Sequence, residues 1–325
     1  MTALDAIPVY VDCDTGIDDA LALAYLLAEP RVRIVGIGTV SGNVAADRAA
    51  TNTIALLEAA GRVDIPVAIG EHHPIAGTFA GGAPHVHGHD GVGGFGLTAE
   101  HFAPDTRTAV ELMTDLAHAH RRQLRVLALG PLTNLARFAE SCPEEVEHVS
   151  RVIVMGGAFA HRGNVTPVAE ANIHNDPEAA HRVFSTRWSI DVVPLDVTMH
   201  HVLTEADAHA LAQVAGRIPA YLSRMLDTYL DFYADVYGVR QCALHDPLAA
   251  IIAADAITVT SADEPADVRV ETQGEERGRT VSVATRYGEA GPHRSRRIVN
   301  GVAGSAFETL LDRVRSHNWP GRPPR

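Results

Sequence analysis

The stretch Val9–Ala20, VYVDCDTGIDDA, constrains this chain more than any other. It opens in an apolar run, Pro8–Asp12, of a length that suits one buried strand, and continues as a helical pattern over Ile17–Leu27. Gly16 permits the tight turn between them. The strand delivers Asp12 and Asp14 to its C-terminal end, while Asp18 and Asp19 fall in the first turn of the helix. Such carboxylates repel one another: at about 4 Å and an effective dielectric near 20, each like-charge pair costs roughly 4 kcal/mol. A cation removes that cost, and an oxygen-rich site favours a hard ion, Ca2+ or Mg2+. Helix capping accounts for Asp18 by itself, because aspartate is favoured at helix N-termini. It does not account for Asp12 and Asp14 on the strand side, so a metal or polyol site is the preferred reading.

The alternation of strand and helix continues. Val32–Val40 reads as a second buried strand and Ala45–Ala60 as a helix; Pro66–Ile69 is short and apolar. Gly77–Gly96 is rich in Gly and His and suits a surface loop. Thr106–His118 is helical, and Leu124–Leu129, Arg151–Met155 and Ile190–Leu195 are further strands. The pattern predicts an α/β fold with a largely parallel sheet covered on both faces. In such sheets ligands bind beyond the carboxyl ends of the strands. The second half is more helical, from Thr204 to about Tyr237 and over Pro247–Ala254. Val268–Thr272 and Thr280–Ala284, joined by QGEERGR, form a late hairpin. A last helix covers about Ser305–Ser316, and the tail from 317 to 325 is expected to fray. With no internal repeat and no linker, residues 1–325 read as one domain with a helical flank over about 204–254.

Composition removes several function classes. The net charge of -13 makes the 325-residue chain a poor nucleic-acid binder. No run of eighteen uncharged apolar residues predicts a membrane span, and the N-terminus lacks the basic and apolar regions of a secretory signal. Cys13, Cys142 and Cys242 are odd in number and form no CxxC pair, which suggests reduced thiols and a cytoplasmic location. All 27 basic residues are arginine. Without lysine, no Schiff base, lysine general base or P-loop lysine is available. This also disfavours a phosphatase of the haloacid dehalogenase type. That family opens on strand–DxD as well, but it uses a lysine for the phosphate and Thr or Val where Gly16 stands.

Further polar residues gather after the strands. Asn43 follows the second strand, Leu129-Gly-Pro-Leu-Thr-Asn134 presents a turn carbonyl, and Met155-Gly-Gly157 ends a third strand. The segment Gly163–Asn172, GNVTPVAEAN, supplies Asn164, Glu170 and Asn172, whose paired donors and acceptors suit vicinal sugar hydroxyls. Asn164 beside Gly163 also reads as a turn residue. His245-Asp246-Pro247 opens a helix; Asp246 is placed to cap it, or to serve as a distant metal ligand, and His245 could protonate a leaving group near neutral pH. The loop His85–Asp90 invites a zinc reading, but no HExxH motif or cysteine ligand accompanies it.

Taken together, DCDTGIDDALAL at 12–23, GN at 42–43, HGHDG at 87–91, LGPLTNLA at 129–136, MGG at 155–157, GNVTPVAEANIHNDPEAA at 163–180 and HDP at 245–247 resemble the calcium-dependent nucleoside hydrolases, the inosine/uridine-preferring N-ribohydrolase family. The resemblance implies a Rossmann-like, mostly parallel central sheet with flanking helices. It also implies a small-molecule ribonucleoside as substrate, no nucleic-acid or membrane partner, and assembly as a homodimer or homotetramer.

Carried over by position, the resemblance implies Asp14, Asp19, the Leu129 carbonyl and Asp246 as Ca2+ ligands. Asp14 would also take a proton from the calcium-bound water. Asp18, supported by Asn43, would hold the ribose 2′-hydroxyl. Asn172 and Asp246 would address the 3′-hydroxyl, and Asn164 and Glu170 the 5′ end. Met155 would line the substrate site, with His87 and His245 near the base and Asp12 outside the direct contacts. The family usually has Pro at Thr15 and an aromatic at Ala171; the second change opens space beside the sugar. One or two of Tyr229, Tyr233 and Tyr237 are candidates to cover the base, though spacing does not choose among them and packing is the default for each. His245 argues against a purine-specific enzyme that stacks the base on tryptophan, since Trp188 and Trp319 lie outside base-covering segments. A pyrimidine-preferring hydrolase and a non-catalytic nucleoside-binding protein on the same scaffold are the alternatives.

Overall fold

Val9, Tyr10, Val11 and Cys13 are fully buried, so the first strand, β1 (Ile7–Cys13), is covered on both faces. The computed structural model describes residues 6–264, 267–284 and 295–321. The strands that follow are β2 (Val32–Thr39), β3 (Val67–Ile69), β4 (Leu124–Ala128), β5 (Val149–Met155), β6 (Ile190–Val193), β7 (Val202–Thr204), β8 (Gln241–Ala243), β9 (Val259–Asp263), β10 (Asp267–Val270), β11 (Thr280–Val283) and β12 (Arg296–Val302). The helices are α1 (Ile17–Ala28), α2 (Ala46–Ala59), α3 (Pro84–His87), α4 (Ala109–Ala119), α5 (Thr133–Ser141), α6 (Ala171–Asn175), α7 (Pro177–Phe184), α8 (Leu195–Thr198), α9 (Glu205–Ala212), α10 (Arg217–Tyr237), α11 (His245–Ala253) and α12 (Ala306–Ser316).

Eight strands form the central sheet in the order β3-β2-β1-β4-β5-β6-β12-β9. Every neighbouring pair is parallel except β12 with β9. Successive side chains of β1 point to opposite faces, as the pleat requires. Val9, Val11 and Cys13 enter the layer of α1, α2, α11 and α12; Tyr10 enters the layer of α4, α5 and α7. The chain runs outward from β1 through β2 and β3, then returns to place β4 on the other side of β1. Such a reversal leaves a crevice at the carboxyl ends of the two strands. Asp12, Asp14 and Leu129 lie there.

Several expectations need correction. The helix predicted from Thr204 to Tyr237 is two helices, α9 and α10, because Gly216 takes φ 125 and breaks the run. The Gly77–Gly96 loop contains the short helix α3, which seats His87. Asp246 does not cap α11; Leu244 holds that position and Asp246 is the second helical residue. The tail is not frayed at its start. Trp319 is buried and donates its indole N–H to the Val314 carbonyl at 2.7 Å, while the carbonyls of Pro320 and Gly321 accept from Arg217. Residues 322–325 of that tail lie outside the described residues. The late hairpin is present as β10 and β11, paired antiparallel. Among the described residues, no helix is long and apolar enough to cross a membrane.

Candidate active site

A cavity of about 360 Å³ opens at the carboxyl edge of the sheet. At its floor three aspartates share one arrangement, each anchored by one oxygen and bare at the other. Asp14 Oδ2 accepts from the Asn43 backbone N–H at 2.6 Å. Asp19 Oδ2 accepts from the Gly16 N–H at 2.8 Å and from Asn43 Nδ2 at 3.3 Å. Asp18 Oδ2 accepts from the Tyr229 hydroxyl at 3.3 Å. The Oδ1 atoms of Asp14, Asp18 and Asp19 are buried without a hydrogen-bond partner. Buried polar atoms are nearly always paired, so three bare carboxylate oxygens in one place mark a site built for something that brings positive charge or donors.

The electrostatics agree. Burial, followed by the neighbouring carboxylates, raises Asp14 and Asp246 well above the ordinary carboxylate range. Burial lifts Asp18 and Asp19 to about 6. One carboxylate oxygen each from Asp18, Asp19 and Asp246 lie within 4.8 Å of one another. An all-oxygen acidic set of this kind fits a hard divalent cation. Asp14, expected among the ligands, lies outside this tightest trio, and Asp18, expected on the sugar, lies within it. Asp12 accepts from Asn134 Nδ2 at 2.9 Å and from the Tyr10 hydroxyl at 3.3 Å, and burial raises it to about 7.

Glycines make the floor possible. A Cβ on Gly42 would collide with Asp14 Oδ2, and one on Gly130 would stand 3.1 Å from Asp14 Oδ1. A Cβ on Gly16 would meet Asn43 Nδ2 and His87 Nδ1, each at 2.8 Å. The strand-end glycines therefore bring backbone against the carboxylates where no side chain fits.

Two histidines face the cavity from above. His87 Nδ1 accepts from the Ile17 N–H at 3.2 Å, and its ring stacks on Tyr229 at 5.4 Å. His245 has Nδ1 2.8 Å from Thr198 Oγ1 and Nε2 3.0 Å from the Tyr233 hydroxyl. Burial lowers both histidines to about 4, which keeps the rings neutral. Thr198 carries no sequence signal beyond a position shortly after a strand end. His85 packs edge-on against Phe232 instead of joining His87, so the histidines of this loop do not converge on a metal.

The Gly163–Asn172 segment forms another wall. Asn172 Nδ2 donates to the Leu129 carbonyl at 2.6 Å and to the Met155 carbonyl at 3.1 Å. Glu170 caps α6, accepting from Asn172 N and Ile173 N, and ties down Gly157 N. Asn164 Oδ1 accepts from Ala171 N at 2.9 Å. Of the residues singled out in the sequence, Asp18, Asn43, His87, Leu129, Met155, Asn164, Glu170, Asn172, His245 and Asp246 line this one cavity. Asp14 and Asp19 lie beneath it, held by Asn43. Tyr229, Tyr233 and Tyr237 line it as well; Tyr229 and Tyr233 are buried and Tyr237 is exposed.

The chain is similar to known proteins along most of its length. The family model described as inosine-uridine preferring nucleoside hydrolase matches residues 9–309. A probable uridine nucleosidase 2 of Arabidopsis thaliana is 39% identical over 274 residues, covering 84% of each chain. A pyrimidine-specific ribonucleoside hydrolase of Salmonella typhimurium is 36% identical, covering 74% of this chain and 78% of its own. Among solved structures, a plant nucleoside hydrolase superposes with a TM-score of 0.90 at 30% identity, over 96% of this chain and 99% of that one. A purine-preferring ribonucleoside hydrolase from Gardnerella vaginalis gives 0.89 at 28% identity, over 95% and 98%.

Proposed function

From its place in the inosine-uridine preferring nucleoside hydrolase family, to which this chain belongs, we propose that it cleaves the N-glycosidic bond of ribonucleosides with Ca2+ held by Asp14, Asp19, Asp246 and the Leu129 carbonyl. The family members are N-glycosyl hydrolases that act on free nucleosides. The observation that carries the metal reading is the set of three bare Oδ1 atoms on Asp14, Asp18 and Asp19. Among oxygen donors of this charge, a bound divalent cation would orient a sugar diol and lower the pKa of a water.

The chain's own residues then have distinct tasks. Asp14 takes a proton from the attacking water; its Oδ2 is fixed by the Asn43 N–H and its Oδ1 has no hydrogen-bond partner. Asp18, held by the Tyr229 hydroxyl while Asn43 bonds Asp14 and Asp19 instead, accepts from the 2′-hydroxyl, and Asn172 and Asp246 address the 3′-hydroxyl. Asn164 and Glu170 face the 5′ end, and Met155 lines the sugar's side. These contacts fix the sugar in a reactive orientation. His87 and His245 lie toward the base, and His245 delivers a proton to it as the glycosidic bond breaks. The products are ribose and the free base.

A second reading, preference for uridine and cytidine, is favoured by relatives named for uridine and pyrimidine ribonucleosides. A kcat/KM panel over six nucleosides tests both readings. Release of ribose from at least one of them supports the hydrolase, and higher values for uridine and cytidine than for inosine support the pyrimidine preference.

A further inference from the structure

The two ends of the cavity differ in what they demand. At the carboxylate floor, Oδ1 of Asp14, Asp18 and Asp19 have no hydrogen-bond partner, and the neutral His87 stands 3.9 Å from Asp18 Oδ1. At the wall that faces the sugar's 5′ end, the acceptors are already paired. Glu170 Oε1 accepts from Asn172 N, and Oε2 from Gly157 N and Ile173 N. Asn164 Oδ1 accepts from Ala171 N. A site rejects an analogue that lacks a hydroxyl when the missing group leaves a buried polar atom unpaired. That penalty falls on the floor and not on this wall. The wall is also roomy and partly apolar: Ala171 ends at its Cβ, and Val165 lines the cavity with 51% of its surface exposed.

We propose that this site also hydrolyses ribonucleosides whose 5′-hydroxyl is missing or replaced by an alkylthio group. This rests on the ribonucleoside reading above, with Asn164, Val165, Glu170 and Ala171 at the 5′ end. The apolar substituent gains contact with Val165 and Ala171 instead of leaving an acceptor orphaned. The chemistry is unchanged: the water oxygen bonds to C1′, the C1′–N bond breaks, one water proton goes to the enzyme's base, and the departing base is protonated. The products are the free base and a ribose deoxygenated or alkylthio-substituted at carbon 5, and no redox partner is needed.

The test compares the parent, 5′-deoxy, 5′-deoxy-5′-methylthio and 2′-deoxy forms of uridine and of inosine, using the calcium-loaded full chain. Both 5′ forms are expected within about tenfold of the parent in kcat/KM, and the 2′-deoxy form at least about a thousandfold below it, in the range set by orphaning a buried polar group. A loss beyond about tenfold for the 5′-deoxy form of a parent that is itself turned over contradicts the proposal. Absence of turnover for both parents contradicts the hydrolase reading instead. Ala171→Phe fills the space: it is expected to lower the methylthio-to-parent ratio of kcat/KM at least about tenfold, as steric exclusion from a packed pocket would. An unchanged ratio in a variant that unfolds at the wild-type temperature contradicts the proposed position of the substituent.

Discussion

Tyr233 sets its hydroxyl 3.0 Å from Nε2 of His245, a ring whose Nδ1 lies 2.8 Å from Thr198 Oγ1. The imidazole is thereby held at both nitrogens and kept neutral by burial, which lowers it to about 4. With both nitrogens engaged, the ring acts as a relay: as the departing base gathers negative charge it draws a proton through one hydroxyl partner, and the imidazole passes on a proton taken up at its other nitrogen. His245→Ala should therefore lower kcat/KM for inosine by about 10²–10⁴-fold, the range for a general acid. The loss should be far smaller for p-nitrophenyl riboside, whose leaving group needs no proton. Equal losses on the two substrates would remove His245 from that role.

Backbone approach at Gly42 predicts a second effect. A Cβ there collides with Asp14 Oδ2 and comes within 2.7 Å of Pro131 Cδ. Gly42→Ala should push the Asp14 carboxylate out of place and destabilise the fold by about 1–3 kcal/mol, as overpacking does. Activity should fall at least about a hundredfold, the cost of a misplaced reacting group. Thermal unfolding and kcat/KM measured together check this; a variant with wild-type activity would show that Asp14 need not sit where it does.

The carboxylates tie calcium to pH. Asp18 and Asp19 sit at about 6 in the fold, against an ordinary 3.8. Groups with raised folded values favour the fold at low pH, and that contribution is lost as the pH rises through about 6. Cation-free protein therefore carries repulsion that grows as the pH rises through about 6, which calcium relieves. His87 and His245, lowered to about 4, act in the opposite sense, with stability lost as the pH falls from the ordinary 6.5 towards 4. The rise in Tm on adding calcium should be small at pH 4 and should grow as the pH rises through about 6 and beyond, because Asp14 and Asp246 are raised further than Asp18 and Asp19; once the carboxylates are ionised, a hundredfold excess over Kd contributes about 2.7 kcal/mol. A calcium effect independent of pH would contradict the carboxylate site.

The floor of the site was legible because its residues follow strand ends. Asp14, Asn43 and Leu129 each sit shortly after an apolar run, and parallel topology brings such positions to one edge. β12 was not legible. It begins with Arg296 and Arg297 and carries Asn300-Gly301, a pattern that reads as a loop. Tertiary bonding overrides it: Arg296 is buried against the carbonyls of Phe184, Thr186 and Trp188, and Arg297 pairs with Asp191 across β6. The break at Gly216 was equally hidden. Trp319, from the tail, packs where a Cβ on Gly216 would stand, and no local periodicity records a partner about a hundred residues away. Residues whose role depends on a partner's side chain, such as Thr198 beneath His245, carry no spacing signal of their own.

Asp14→Ala removes the group assigned as base. Turnover of inosine and uridine should disappear, while calcium binding, followed by calorimetry, should weaken without being lost, because Asp19, Asp246 and the Leu129 carbonyl remain. Wild-type-like rates would refute the assignment.

The most direct measurement follows reducing sugar released from uridine and inosine by the calcium-loaded chain, then in excess chelator, then with calcium restored. The account predicts release with calcium, arrest on chelation and recovery on re-addition. Steady release in the presence of chelator, from protein shown to be free of metal, would contradict it.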